Sequence, residues 1–194
     1  MPLLPLEPFI FPETLLDSPP DASPDSAWWW ALHTKPRAEK KLVRRFLDQG
    51  TSFFLPLYER QWRSGRRLQR SYLPLFPGYV FLRGDHHARL AALQTNLIVN
   101  CLPVADQAQL HQELGRVYRL MTSGVPLAPE DRLLPGTPVE VTHGPFAGLE
   151  GKVLRRGNHL RLFVEVQFIQ RAVSVEVESW MVEPIGSLPL VPTS

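Results

Sequence analysis

The chain has 194 residues, of which 44% are hydrophobic, and its formal net charge is +2. This length suits one domain or two small ones, each with a modest core. The single cysteine excludes an internal disulfide, and no apolar run reaches the roughly 18 residues of a membrane span. We therefore expect a cytoplasmic protein without membrane association.

Residues 1–27 differ from the rest of the chain in composition. They hold seven prolines, five acids and no Lys or Arg. They lack the basic start and continuous apolar core of a signal peptide. This composition predicts a disordered, Pro-rich acidic tail, and residues 186–194 are expected to form a second tail.

Positive charge is concentrated in residues 28–83. This segment carries twelve Lys and Arg against three acids, a local charge of +9, whereas residues 1–27 carry −5. Such a block is typical of a surface that meets phosphates or an acidic protein. A solvated helix face is the plainer alternative.

The segment from Trp28 to Gly50 predicts a strand followed by a helix. Residues 28–33 alternate as a strand, Pro36 suits a first helical turn, and Gly50 suits a helix end. An apolar residue recurs at every fourth position, at Ala38, Leu42 and Phe46. The helix is therefore predicted to bury one stripe and to leave its basic residues outside.

A basic hairpin is predicted next. Residues 53–62 and 68–73 are typical of strands, and Ser64-Gly65 between them suits a tight turn. Five arginines surround this tip: Arg60, Arg63, Arg66, Arg67 and Arg70. Their mutual repulsion is relieved when the hairpin meets nucleic acid, which favours DNA contact over a solvated loop.

The run from Pro74 to Leu82 contains Phe76-Pro77-Gly78-Tyr79 and indicates a binding surface more than a catalyst. Pro77 and Gly78 allow a sharp bend before a strand begins at Tyr79. Phe76 and Tyr79 then lie beside the bend, although ordinary strand core is the plain alternative for Phe76, Val80 and Leu82.

Further elements complete an α+β domain. Residues 93–102 predict a strand, and Leu110, Leu114, Val117 and Met121 mark a final helix. The proline-marked residues 123–134 predict a linker that lets two domains move independently. Beyond it, period-2 alternation predicts a small all-β barrel with Phe146 packed beneath it.

Three motifs together resemble the NusG family. They are Trp30-Ala-Leu-His-Thr-Lys-Pro-Arg-Ala-Glu39, the Pro74–Leu82 run, and Pro135–Val153 with Gly148 and Gly151. The resemblance implies an NGN domain over residues 28–122, an antiparallel sheet with packed helices, and an SH3-like KOW barrel over 135–185. It further implies a transcription elongation or antitermination factor that acts as a monomer without cofactor, metal or enzymatic activity.

The same resemblance implies three binding surfaces. RNA polymerase clamp helices would contact Trp30, His33, Phe76, Pro77, Tyr79 and Phe81. Upstream or non-template DNA would contact Lys35, Arg37, Lys40, Lys41, Arg44, Arg63, Arg66, Arg67 and Arg70. A ribosomal protein of the small subunit, or Rho, would contact Phe168, Ile169 and Arg171, where Gln170 replaces the usual glycine.

Several interpretations stay open. The runs 160–166 and 171–177 look like those of specialised paralogues of the RfaH and UpxY type, which act on few operons, yet a general factor is the alternative. Two further alternatives for the function are an RNA-binding or ribosome-associated KOW protein and a nuclease. The β-branched, alternating C-terminal strands are expected to stay β rather than refold into a helical hairpin. Glu39 is interpreted as a structural or clamp-facing residue.

Overall fold

The computed structural model describes residues 8–19 and 27–185. The helices in these residues are α1 (Glu39–Asp48), α2 (His86–Gln94) and α3 (Gln107–Thr122). The strands of the first half are β1 (Ile10–Phe11), β2 (Trp28–Thr34), β3 (Ser52–Phe54), β4 (Leu57–Ser64), β5 (Arg67–Pro74), β6 (Tyr79–Gly84) and β7 (Ile98–Pro103). Those of the second half are β8 (Ala128–Glu130), β9 (Thr137–Val141), β10 (Glu150–Arg156), β11 (His159–Val166), β12 (Arg171–Val177) and β13 (Val182–Pro184).

A five-stranded antiparallel sheet in the order β1-β3-β6-β2-β7 organises the first half. Its two faces enter separate apolar clusters because strand side chains alternate. Leu32 and Leu82 pack with α1 on one face, and Trp29 and Phe81 pack with α3 on the other. The predicted α+β architecture of this half is confirmed.

Helix α1 has the predicted amphipathic form. It begins at Glu39 rather than at Pro36, and Gly50 follows it with a φ of +65°. Its fully buried side chains are Leu42, Val43 and Phe46. The apolar stripe therefore anchors the helix on the sheet and turns the basic residues outward.

The start of the strand predicted over residues 93–102 is wrong, because the structure has the end of a helix there. Leu93 belongs to α2, and β7 begins at Ile98. The Asp85 side chain accepts a hydrogen bond from the Ala88 amide at 2.8 Å and caps α2. Asp85 was thus a helix-start signal that the apolar pattern concealed.

The prediction of a disordered tail is wrong for residues 8–19. Ile10 and Phe11 pair with β3, and Ile10 and Leu15 are buried in the apolar cluster beneath the sheet. The Arg83 guanidinium donates hydrogen bonds to the carbonyls of Leu15 at 2.7 Å and Ser18 at 2.9 Å. Prolines and acids dominated the composition, but a few apolar side chains suffice to anchor the segment. Residues 1–7, 20–26 and 186–194 lie outside the described residues.

Strands β4 and β5 form the predicted hairpin as a separate two-stranded sheet. Gly65 at its tip has a φ of +60°, a conformation that glycine adopts without a steric penalty. Every side chain described between residues 59 and 70 is exposed. The hairpin therefore extends from the domain into solvent.

The second half is β-rich, as predicted. Its six strands form an antiparallel sheet in the order β13-β9-β10-β11-β12-β8. Phe146 is buried in the apolar cluster, which agrees with the predicted packing role. No refolded helical hairpin is present among residues 135–185, where strands and two short 3-10 turns account for the regular structure.

The two halves are packed together, contrary to the expected freedom of a linker. Strand β8 lies inside the predicted linker and pairs with β12. The Glu113 carboxylate on α3 accepts hydrogen bonds from the Gln167 amide at 3.1 Å and from the Gln109 side chain at 2.9 Å. Arg116 also pairs with Glu150 at 2.8 Å. Burial raises the pKa of Glu113.

We predict that Leu15→Ala destabilises the full chain by about 2 to 5 kcal/mol, because it leaves a cavity in a packed core. Urea unfolding measures the change. Glu13→Ala, a substitution of an exposed residue in the same segment, should stay within about 0.5 kcal/mol of wild type. Equal stability of Leu15→Ala and wild type would show that the segment is detached in solution.

His111 should give the protein a measurable acid sensitivity. Its ring is buried, and Trp29 Nε1 donates a hydrogen bond to His111 Nδ1 at 3.4 Å. Burial and the nearby Arg83 charge lower the pKa of His111, partly offset by a hydrogen bond to the Leu16 backbone. The neutral ring is therefore the form that the fold accepts.

Because the folded pKa of His111 lies below its unfolded value, the unfolded chain binds this proton first as pH falls. The contribution to stability is present above the unfolded pKa, about 6.5, and declines as pH falls below it. Urea unfolding between about pH 7.5 and 5 should show this loss. His111→Gln should flatten the profile; an unchanged profile would assign the acid sensitivity to other groups.

Candidate functional site

The Phe76–Tyr79 turn is held from three sides. The Tyr79 amide donates to the Phe76 carbonyl at 3.0 Å, and the Thr34 amide donates to the Gly78 carbonyl at 2.8 Å. The Glu39 carboxylate accepts from the Gly78 amide at 2.7 Å. Gly78 has a φ of +83°, which explains the glycine at this position. Glu39 therefore has the structural role expected of it, joining α1 to the turn.

The exposed side of this turn forms a small surface with the end of β2. His33 lies opposite Tyr79 in the sheet register, and their ring centroids are 5.3 Å apart. His33 and Pro77 are exposed and Tyr79 is half-buried. These three residues, here called the turn surface, present two rings and a proline to solvent.

Three other aromatic residues predicted for the same contact do not join the turn surface. Phe76 is 1% exposed and packs edge-to-face on the buried Phe81 at 6.3 Å. The plain alternative, strand core, thus holds for Phe76. Phe81 is also core, because side chains alternate along β6 and this one faces α3. Trp30 packs with the cluster on the opposite face from Tyr79, and its indole nitrogen donates to the Gly84 carbonyl at 3.1 Å.

The predicted basic residues of the helix region lie beside the turn surface. Exposed or half-buried cations follow β2 and the outer side of α1, namely Lys35, Arg37, Lys40, Lys41 and Arg44. The ammonium group of Lys35 donates to the Asn96 side chain at 3.1 Å. A cleft of about 500 Å³ connects this region with the hairpin base, and its lining includes Arg37, Lys40, Tyr58, Leu73 and Pro77.

The hairpin arginines are exposed, as predicted. Arg63, Arg66 and Arg67 surround the tip, and Arg70 forms an ion pair with Glu59 at 3.4 Å. The sequence interpretation overlooked Trp62, whose side chain is 42% exposed among these cations. A tryptophan within an arginine-rich, otherwise polar strand was the available signal.

The three residues predicted to contact a partner in the second half differ in their exposure. Phe168 is 37% exposed, but Ile169 is only 6% exposed and belongs to the apolar cluster. The Arg171 guanidinium donates to the Asp131 carbonyl. Gln170 has a φ of +55°, a left-handed conformation that glycine adopts more readily than glutamine. Of the three residues predicted for the partner contact, Phe168 is the most exposed.

The described residues contain no group of three His, Cys, Asp or Glu side chains arranged to hold a metal ion. His86 and His87, the adjacent histidine pair, are both exposed on α2. Within residues 8–19 and 27–185, no helix is long and apolar enough to cross a membrane.

Comparison with known proteins identifies the first half. The family model described as "Transcription termination factor nusG" matches residues 27–124, half of the chain. A structure described as "Crystal Structure of MjSpt4:Spt5 complex conformation B" aligns at 16% identity over 81% of this chain and 96% of its own, with a TM-score of 0.29. A score this low carries no argument about the fold. No curated protein matches the chain.

We predict that Glu39→Ala lowers stability by about 1 to 3 kcal/mol, because the Gly78 amide loses its acceptor. Hydrogen exchange at the Gly78 amide should accelerate, as read by NMR. Glu39→Gln keeps an acceptor oxygen and should retain most of the protection. Unchanged exchange in Glu39→Ala would mean that the two hydrogen bonds to Phe76 and Thr34 hold the turn without Glu39.

Proposed function

Because the chain belongs to the NusG family, we propose that it is a transcription elongation factor whose NGN domain binds the clamp helices of RNA polymerase. The observation that carries the proposal is the Glu39–Gly78 hydrogen bond. It fixes the turn surface beside the basic helix, so one side of the domain can contact a protein and nucleic acid together. This function requires binding and no chemistry of its own.

In this proposal Tyr79, His33 and Pro77 form the apolar centre of the polymerase contact. Tyrosine suits such a position, because its ring buries a large area while its hydroxyl remains satisfied at a wet rim. Phe76 and Phe81 support the turn from within the core. Trp30, on the opposite face of the sheet, lies outside the proposed contact.

DNA is proposed to lie along the basic side of the same domain. The cleft beside the turn surface is lined by Arg37 and Lys40 of the α1 region and by Tyr58 and Leu73 at the hairpin base, so the two cation-bearing elements border the same cleft. Upstream duplex or the non-template strand near the polymerase would supply the phosphates. Such contacts would strengthen polymerase binding without reading a long sequence.

The second half is proposed to act as a KOW domain that recruits a partner, with a small-subunit ribosomal protein or Rho as candidates. Its exposed contact would be Phe168. Ile169 is buried and the Arg171 guanidinium is bonded to the Asp131 carbonyl, so a partner that needs either side chain would first have to break these contacts. Undocking from α3 would break the Glu113 and Arg116 contacts.

Within the family we favour a specialised paralogue over a general factor. Support comes from the arginine hairpin and from the barrel runs 160–166 and 171–177, which resemble the RfaH and UpxY type. A paralogue acts in the cytoplasm with polymerase on a restricted set of operons. Genome-wide mapping of the protein beside polymerase distinguishes this from a general factor, which would follow polymerase on most genes.

We expect Tyr79→Ala to weaken binding to purified RNA polymerase by about 1 to 3 kcal/mol, the usual loss for an aromatic anchor. Binding is measured by biolayer interferometry on variants with wild-type circular dichroism. Trp180→Ala is the matched control, since it removes a strongly exposed aromatic of the second half. Wild-type affinity of Tyr79→Ala, or equal losses in both variants, would argue against the turn surface as the contact.

A further inference from the structure

The two faces of the β4–β5 hairpin differ in chemistry. Residues that pair directly across an antiparallel hairpin share a face, and successive residues alternate between faces. Trp62 pairs with Gln69 and Arg60 pairs with Ser71. These residues and Arg67 share one face, here called the Trp62 face. The opposite Leu68 face carries Glu59, Gln61, Arg63, Leu68 and Arg70.

Charge and exposure separate these faces further. The Trp62 face has an open indole between Arg60 and Arg67 and no acid among its described side chains. On the Leu68 face, Glu59 pairs with Arg70 at 3.4 Å and offsets part of the positive charge. Both faces expose an apolar side chain, but only on the Trp62 face is it aromatic and flanked by cations without an acid.

The two faces also continue into different surroundings. Tyr58 and Leu73, at the base of the Trp62 face, line the cleft shared with Arg37 and Lys40 of α1. Glu59 and Gln61, on the Leu68 face, line another cleft of about 520 Å³ with Phe9 and the segment 124–127, and Tyr58 borders both clefts. The base of the Trp62 face therefore meets the basic side of α1 across this cleft.

We propose that the Trp62 face binds single-stranded nucleic acid, with Trp62 stacked on an unpaired base and Arg60 and Arg67 on neighbouring phosphates. The inference rests on the proposed DNA contact and narrows it to an unpaired strand on one face. Arg60 lies two residues before Trp62 on β4, and Arg67 pairs with Ser64, two residues after Trp62. Each cation is therefore displaced from Trp62 by about 7 Å along the strand, close to the spacing of phosphates in an extended single strand. Bases within a duplex are already stacked and leave no face for the indole. An unpaired strand offers both an accessible base for Trp62 and phosphates for the two arginines.

The test measures fluorescence anisotropy of a labelled oligonucleotide of about 12 nucleotides, single-stranded or in duplex form, with the full chain at low salt. Trp62→Ala should weaken single-strand binding roughly 5- to 150-fold and leave the salt slope unchanged. Trp62→Phe should restore most of the affinity. Arg60→Ala and Arg67→Ala should each lower the salt slope by about 0.7. DNA and RNA versions identify which strand binds more tightly, and the proposal holds for either.

Leu68→Ala is the matched control, because Leu68 is 54% exposed on the opposite face of the same hairpin. It should bind as wild type does. The proposal is overturned if the wild-type chain does not bind the single strand, or if Trp62→Ala binds it as tightly as wild type. It is also overturned if Leu68→Ala loses as much single-strand affinity as Trp62→Ala, or if Trp62→Ala loses as much affinity for the duplex as for the single strand. Thermal unfolding should be unchanged in both variants, since both side chains are exposed.

Binding to RNA polymerase without nucleic acid separates this inference from the proposed function. Trp62→Ala should retain polymerase affinity, whereas Tyr79→Ala should lose it. Loss of polymerase binding by Trp62→Ala with intact oligonucleotide binding would make Trp62 a protein anchor and overturn the inference. If Tyr79→Ala retains polymerase affinity while the oligonucleotide results are as expected, the turn surface is not the polymerase contact and the Trp62 face stays supported.

Discussion

The antiparallel pairing of β2 with β6 is the constraint on which the rest of the structure depends. Its register sets His33 opposite Tyr79 and Trp30 opposite Leu82, and thereby assigns each aromatic side chain to one face of the sheet. Both faces of this pair are buried, one under α1 and the other under α3. A slip of one residue would exchange the two faces, moving Trp29 from the α3 side to the α1 side and separating His33 from Tyr79. The proposed polymerase contact is thus an outcome of strand register.

Helix α3 has the second organising role, since it contacts both halves of the molecule. Apolar residues of α3 join the cluster beneath the central sheet and the cluster of the second sheet into one core. Polar contacts at Glu113, Arg116 and Arg119 lie around this junction. Glu113 stays buried because two donors satisfy its carboxylate; without them the burial of a charge would oppose docking. The packing of the two halves therefore depends on these few polar contacts as well as on buried apolar surface.

Charge and aromatic exposure divide the molecular surface into regions with different proposed partners. The turn surface offers rings held rigidly by backbone hydrogen bonds, which suits a protein groove. The α1 side and the hairpin offer cations on an extended, solvated element, which suits phosphates. Phe168 offers an exposed aromatic ring in the turn between β11 and β12, next to the contact of Gln167 with α3. The turn surface and the basic side adjoin at Pro77, whereas Phe168 belongs to the second half, so each proposed partner would contact largely its own side chains.

Local sequence determined the elements whose signals are short-range. The α1 stripe, the Gly65 hairpin tip, the left-handed Gly78 and the alternating C-terminal strands were all predictable, because each depends on neighbouring residues and backbone sterics. The N-terminal strand, the burial of Phe76 and Ile169, and the docking of the second half were not predictable in this way. Each arises from contacts between residues distant in sequence, such as Ile10 with β3 or Glu113 with Gln167. The sequence by itself determined that aromatic and basic residues surround a Pro-Gly bend. Only the tertiary structure decided which of them face solvent, because register and packing, rather than composition, direct each side chain inward or outward.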